Sequence, residues 1–164
     1  EKDLQLELDY YMLKNGATGL AFETILAAGA NGSMPHAVPG DNIVKEGDFV
    51  TMDFGASLNG YCSDMTRTVA VGKISDEQKK VYDLVLAAQL AAEEAVRPGV
   101  PCNDIDKISR DMIYGAGYEG RFGHGLGHSL GLEIHESPRF SPLCSDLTEV
   151  GIVMSVEPGI YLDG

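Results

Sequence analysis

Apolar residues recur at helical spacing through the first sixteen positions. Leu4, Leu8, Tyr11 and Met12 fall on one face and Gly16 offers a stop, so the pattern predicts an opening helix. No capping residue precedes Leu4, which reads as a helix entered part-way. Phe22-Glu23-Thr24-Ile25-Leu26 reads as a strand ending in the loop Gly29-Ala30-Asn31-Gly32. A Pro/Gly-rich loop over 35–41 follows and carries His36. Phe49 to Ala56 and Tyr61 to Val71 read as two strands of a hairpin, with Asn59-Gly60 as the turn. A long helix is expected from Ser75 to Arg97. Ser75 and Gln78 form its capping box, Val81, Leu84, Val85 and Ala88 its apolar stripe, and Pro98-Gly99 its stop. A second helix is expected from Asn103 to Tyr114, with Ile105, Ile108, Met112 and Ile113 inward. The last fifty residues read as strands and loops: a His/Gly segment, Glu133 to His135, Ile152 to Val156 and Gly159 to Leu162. Asp163-Gly164 reads as a turn whose return strand is missing. The order predicts an α+β domain over 1–164, with helices packed against an antiparallel sheet and both ends cut.

Composition narrows the function. The chain has 12 Lys+Arg against 25 Asp+Glu, a formal net charge of −13. That balance disfavours nucleic acid and anionic membrane surfaces as partners, since both need clustered cations. No apolar run approaches the ~20 residues of a membrane span, and the start does not resemble a signal peptide. Cys62, Cys102 and Cys144 are widely spaced and odd in number. This excludes a disulfide framework and points to a reducing cytoplasm.

Three clusters carry candidate chemistry. With a two-residue turn at Asn59-Gly60, position 58 faces 61 and Asp53 faces Thr66. Asp64 then lies two places along on the same face, at a diagonal spacing of ~7–8 Å. Two carboxylates so placed repel unless cations lie between them, and hard divalent ions take such oxygen ligands. The second cluster is Gly123-His124-Gly125-Leu126-Gly127-His128, continued to Gly131 and His135. Its glycines are expected to clear side chains away from a metal or substrate, and its histidines supply ligands or proton carriers. His124 reads as structural. The third is Glu157, a strand-end carboxylate before Pro158-Gly159. His36 and Glu157 are each uninformative alone.

As a set these segments resemble the metallopeptidase family with the pita-bread fold, which includes methionine aminopeptidase, Xaa-Pro aminopeptidase and prolidase. The resemblance is carried by Pro35-His36, Met52-Asp53-Phe54-Gly55, Ser63-Asp64-Met65-Thr66-Arg67-Thr68, His124-Gly125-Leu126-Gly127-His128, His135-Glu136 and Val156-Glu157-Pro158-Gly159. It implies a two-metal centre held by two aspartates, a histidine and two glutamates. The positions that match are Asp53, Asp64, His128 and Glu157. His36 and His135 match the family's two cleft histidines, which steady the scissile carbonyl. The family's second glutamate follows the Pro-Gly-Ile-Tyr segment, beyond this chain, and its Xaa-Pro members carry a further N-terminal domain. A piece lacking these is expected to be impaired in metal binding and catalysis.

The resemblance implies metal-dependent removal of an N-terminal residue that precedes proline, through water activated at the dinuclear centre. Mn²⁺ suits the carboxylate-rich ligation, and Co²⁺, Fe²⁺ and Zn²⁺ are not separated from it by ligand type. The implied partner is a peptide with an Xaa-Pro start, with a homodimer left open. Methionine aminopeptidase-type specificity, creatinase-type hydrolysis without metals and a non-catalytic peptide-binding module are the rivals. The stretches 63–68 and 131–136 favour the proline-directed branch, and the four matching ligands weigh against the last two rivals.

Overall fold

Helix α1 (Lys2–Lys14) forms where the apolar spacing predicts it in the computed structural model, which describes residues 1–162. The turn expected at Asp163-Gly164 lies outside those residues. Gly16 follows the helix with φ +107°, a conformation that favours glycine. The inward face differs from the expected one. Met12 is buried and Leu8 half-buried, but Leu4 and Tyr11 are 46% and 66% exposed. The face that docks is Glu1, Gln5, Leu8, Asp9 and Met12. Polar anchors select it: Asp9 Oδ1 accepts the Thr24 hydroxyl at 2.5 Å. The buried Glu1 carboxylate accepts from the Ala28 amide (2.8 Å), the Gly40 amide (2.7 Å) and the Asn31 side chain (3.1 Å). A count of apolar positions is blind to such anchors.

The chain divides into two compact units. One comprises Glu1–Asp76, Gly131–Ile134 and the residues from Tyr161 on; the other comprises Glu77–Leu130 and His135–Ile160. In the first unit, β1 (Gly19–Leu20), β4 (Ala56–Leu58) and β5 (Tyr61–Cys62) form one antiparallel sheet, with β4 in the middle. A second antiparallel sheet places β3 (Phe49–Phe54) between β2 (Ile25–Ala28) and β6 (Met65–Ala70). The expected strand over 22–26 therefore begins three residues later, and β1 was not anticipated. A 3₁₀ turn, Gly29–Ser33, replaces the loop expected there.

The hairpin register is the predicted one. Leu58 faces Tyr61 and Asp53 faces Thr66. Asn59 and Gly60 both have positive φ, 53° and 84°, as a two-residue turn of this kind requires. Each predicted strand is nevertheless broken in two, at Gly55 and at Ser63-Asp64. A Cβ on Gly55 would stand 2.0 Å from the Ser63 carbonyl oxygen and 2.6 Å from the Phe22 ring. Only glycine permits that approach, and the ladder passes there from one sheet to the other.

In the second unit, α2 (Asp76–Ala95) and α3 (Cys102–Gly115) are the two predicted helices. Ala88 and Ala92 of α2, Cys102, Ile105 and Ile113 of α3, and Phe122, Leu126 and Phe140 form a fully buried core. Burial, and then the neighbouring Cys144 thiol, push the Cys102 thiol up to about 11. Strands β7 (Gly127–Ser129) and β8 (Glu136–Phe140) pair antiparallel. The strand expected at 133–135 starts at Glu136 instead, after a run of bends. Among the described residues, no helix is long and apolar enough to cross a membrane.

The Glu1 anchor yields a pH-dependent prediction. Burial pushes its carboxyl up, but hydrogen bonds from the Ala28 and Gly40 amides and from Asn31 and Asn42 outweigh this, and it titrates below 4.5. A lowered folded value means the carboxylate stabilises the fold above pH 4.5, and the contribution is lost as pH falls through the folded value. Glu1→Gln is expected to cost about 1–3 kcal/mol at pH 7. In urea titrations its deficit should shrink steadily as pH falls below 4.5.

Candidate functional site

The two aspartates lie in the first unit. Asp53 is half-buried on β3, the central strand of its sheet, between Ile25 and Thr66. Asp64 is half-buried in the two-residue gap between β5 and β6. The register keeps it two positions beyond the residue opposite Asp53, as the hairpin reading expects. His36 is exposed in the irregular stretch after the 3₁₀ turn, beside the buried Ala37.

The second unit brings three other candidates together. His128, on β7, places Nε2 3.3 Å from Glu157 Oε1. The His135 ring lies edge-on to the His128 ring, with centroids 4.5 Å apart. His135 is exposed, while His128 and Glu157 are half-buried. The residues around 152–157 form no named strand, but they are bonded along β7. The Leu130 amide donates to Val153 O (3.2 Å), Ser155 N to His128 O (2.9 Å) and Glu157 N to Leu126 O (2.8 Å). This ladder sets Glu157 beside His128.

Ser155 ties the pair together, and the sequence reading missed it. Its hydroxyl accepts the His128 amide at 3.0 Å and donates to Glu157 Oε1 at 2.8 Å. The signal was its place two residues before Glu157 on an extended segment, where alternate side chains share a face. Burial pushes the Glu157 carboxyl up, but hydrogen bonds from His128 and Ser155 and the charges of His128 and His124 prevail. It therefore sits below the usual carboxylate range.

This pair has the chemistry of a metal-ligand set. His128 Nδ1 faces Ser129 O at 3.1 Å and Nε2 faces the Glu157 carboxylate. A ring with oxygen at both nitrogens satisfies both only as an imidazolium, or with Nδ1–H donating and the Nε2 lone pair turned to a cation. A backbone carbonyl on the far nitrogen is the usual support of a metal-binding histidine. His124 is held differently, with its ring edge on Phe122 and Nδ1 2.7 Å from Gly125 O.

The glycines of this segment serve the chain more than an open site. A Cβ on Gly127 would lie 2.0 Å from Ser155 O, and one on Gly125 would lie 2.8 Å from Phe140 O. The expectation that they clear room for a metal or substrate gives way here to backbone packing. Around a Cβ on Gly123, nothing among the described residues lies within 4 Å.

The family model for metallopeptidase family M24 matches residues 1–164. The chain is 43% identical over 162 residues to a Xaa-Pro dipeptidase of Pyrococcus furiosus, covering 99% of this chain and 47% of that protein. It is 47% identical over 156 residues to the uncharacterized peptidase YqhT of Bacillus subtilis, covering 95% and 44%. The solved X-Pro aminopeptidase of Thermotoga maritima superposes with a TM-score of 0.97 at 43% identity, over 100% of this chain and 47% of that one. A prolidase from Pyrococcus furiosus gives 0.97 at 42%, over 99% and 48%. These neighbours share the pita-bread fold expected from the sequence. The chain spans about half the length of the curated relatives it matches.

Packing at Gly127 is testable. Gly127→Ala is expected to cost at least about 1–3 kcal/mol, the range for forced overpacking. Gly123→Ala, with open space around it, should cost under about 0.5 kcal/mol. Urea midpoints of the two variants measure the difference.

Proposed function

The chain belongs to metallopeptidase family M24, and from that premise we propose that it forms the metal-holding catalytic part of a peptidase that releases an N-terminal residue preceding proline. The observation that carries the reading is the His128–Glu157 pair, a nitrogen and an oxygen donor 3.3 Å apart and oriented by Ser129 O and the Ser155 hydroxyl. The relatives named for Xaa-Pro cleavage support the substrate class. The match covers about half of each relative, and the proposal is made for the full natural chain.

In this reading Asp53, Asp64, His128 and Glu157 hold two divalent cations, with Mn²⁺ the proposed metal. When bound, such ions lower the pKa of water from 15.7 toward ~7 and polarise a carbonyl. Glu157 is suited to the role because its environment keeps it ionised, and His128 because Ser129 O fixes its Nδ1–H. His36 and His135 orient the scissile carbonyl and donate to the oxygen as it gains charge. His135 is exposed, so a peptide can reach it, and its ring is packed against His128. The three free cysteines suit a reducing cytoplasm.

The test is hydrolysis of Ala-Pro, Ala-Pro-Ala and Met-Ala by the full natural chain with Mn²⁺. Cleavage only before proline, lost to chelation and restored by Mn²⁺, is expected. His128→Ala should lower kcat/KM more than ~100-fold, beyond the 10–100-fold of outer-shell changes. His135→Ala should lower kcat by roughly 10²–10³, the range for one lost oxyanion donor, with metal content unchanged. Cleavage of Met-Ala alone, or of nothing by the Mn²⁺-loaded protein, overturns the reading.

A further inference from the structure

Helix α3 carries a charged pair that faces inward. Asp106 is 1% exposed, inside the stripe of Cys102, Ile105, Ser109 and Ile113. Arg110 forms a fork with it, Nε to Oδ2 at 2.8 Å and Nη2 to Oδ1 at 2.9 Å. The fork is the strong, directional form of such a pair. Two other pairs in the helices, Lys79–Asp83 and Lys107–Asp111, share the i,i+4 spacing but are well exposed.

Most of the remaining hydrogen-bonding capacity of the buried pair goes to one stretch of backbone, and Arg110 Nη1 also donates to the Tyr114 hydroxyl at 3.4 Å. Arg110 Nη1 donates to Phe122 O at 2.9 Å and Nη2 to His124 O at 2.8 Å. Asp106 Oδ1 accepts the Leu126 amide at 3.0 Å. The guanidinium also lies on the Phe122 ring, 4.4 Å from its centroid. Three of the five residues from 122 to 126 are thus gripped by one ion pair. From Leu126 the chain of bonds continues: its carbonyl accepts the Glu157 amide at 2.8 Å. Two residues on stands His128. The pair therefore touches neither candidate ligand, yet it holds the backbone that brings each to the other.

We propose that Asp106 and Arg110 are positioning residues for the metal site: they fix the backbone at 122–126, and through it the separation of His128 and Glu157. The inference rests on the metal-binding reading given above. Ligand atoms must be held within a fraction of an ångström to keep a cation's geometry, and groups outside the ligand shell commonly set that. The Gly-rich stretch 123–127 has few side chains of its own to anchor it.

The experiment is a Co²⁺ titration of the full natural chain, followed by visible absorption, with Co²⁺ alone as the probe. Arg110→Lys keeps the charge opposite Asp106 but loses the planar fork that reaches both carbonyls. It should stay folded, shown by a cooperative thermal transition, and bind Co²⁺ about tenfold more weakly with an altered absorption band. Amide exchange at Leu126 and Glu157 should quicken in the same variant. Asp106→Asn, which removes the bidentate acceptor, should move all three readouts the same way and decides the matter if Arg110→Lys fails to fold. A folded variant with Co²⁺ affinity within twofold of the parent overturns the positioning role alone. An unsubstituted chain that binds no Co²⁺ overturns the metal reading and this inference with it.

Discussion

Two backbone carbonyls stand where side chains would otherwise begin. The Ser63 oxygen lies 2.0 Å from the place of a Cβ on Gly55, and the Ser155 oxygen lies 2.0 Å from that of Gly127. Each glycine neighbours a candidate ligand: Gly55 follows Asp53 by two residues, and Gly127 precedes His128. No other residue type allows main chain to press on main chain so closely. The hairpin's passage between two sheets depends on the first contact. The bonding of the 152–157 segment along β7 depends on the second, and so does the meeting of His128 with Glu157. Backbone ladders run through both contacts.

The buried carboxylates of Glu1 and Asp106 are each held by several hydrogen bonds. Taking an ion out of water costs several kcal/mol, and attraction to a partner offsets this only when the remaining polar atoms are used. The Asp106–Arg110 fork spends its other donors and lone pairs on Tyr114, Phe122, His124 and Leu126. The Glu1 carboxylate is treated in the same way by Ala28, Asn31 and Gly40. Both carboxylates sit on helices, or at the start of one, and both hold irregular chain in place. The exposed pair Lys2–Asp41 contrasts with them, since surface ion pairs contribute about 0–1 kcal/mol.

Much of this was legible in the sequence, for a physical reason in each case. The Asn59-Gly60 turn admits one register, so the relation of Asp53 to Thr66 followed from counting. The stripe of α2 and the inward set Ile105 and Ile113 of α3 followed from a period of 3.6. What escaped was whatever polar contacts decide. The docking face of α1 is chosen by Glu1 and Asp9, not by Leu4 and Tyr11. Asp106 and Arg110 have the spacing of a solvated pair, and only their place within the apolar stripe of α3 marks them as buried. Ser155 is an unremarkable strand serine until Glu157 and His128 are seen on either side. β2 and β8 each start three residues later than expected, because pairing partners distant in sequence fix where a ladder starts.

The unbroken count through the hairpin has a consequence for how this chain tolerates change in length. Every opposed pair from Phe49 and Ala70 to Leu58 and Tyr61 sums to the same number, although the ladder switches sheets midway. The turn thus acts as the origin of a ruler, and Asp53 and Asp64 are marks on it. Adding or removing a single residue at Asn59-Gly60 would shift one arm by half a pleat and turn its side chains to the opposite face. A change of two would restore the faces but shift Asp64 along Asp53 by one strand repeat, toward it or away from it according to whether residues are added or removed. Drift in loop length, harmless at most protein surfaces, is here tied to the phase of two acidic side chains.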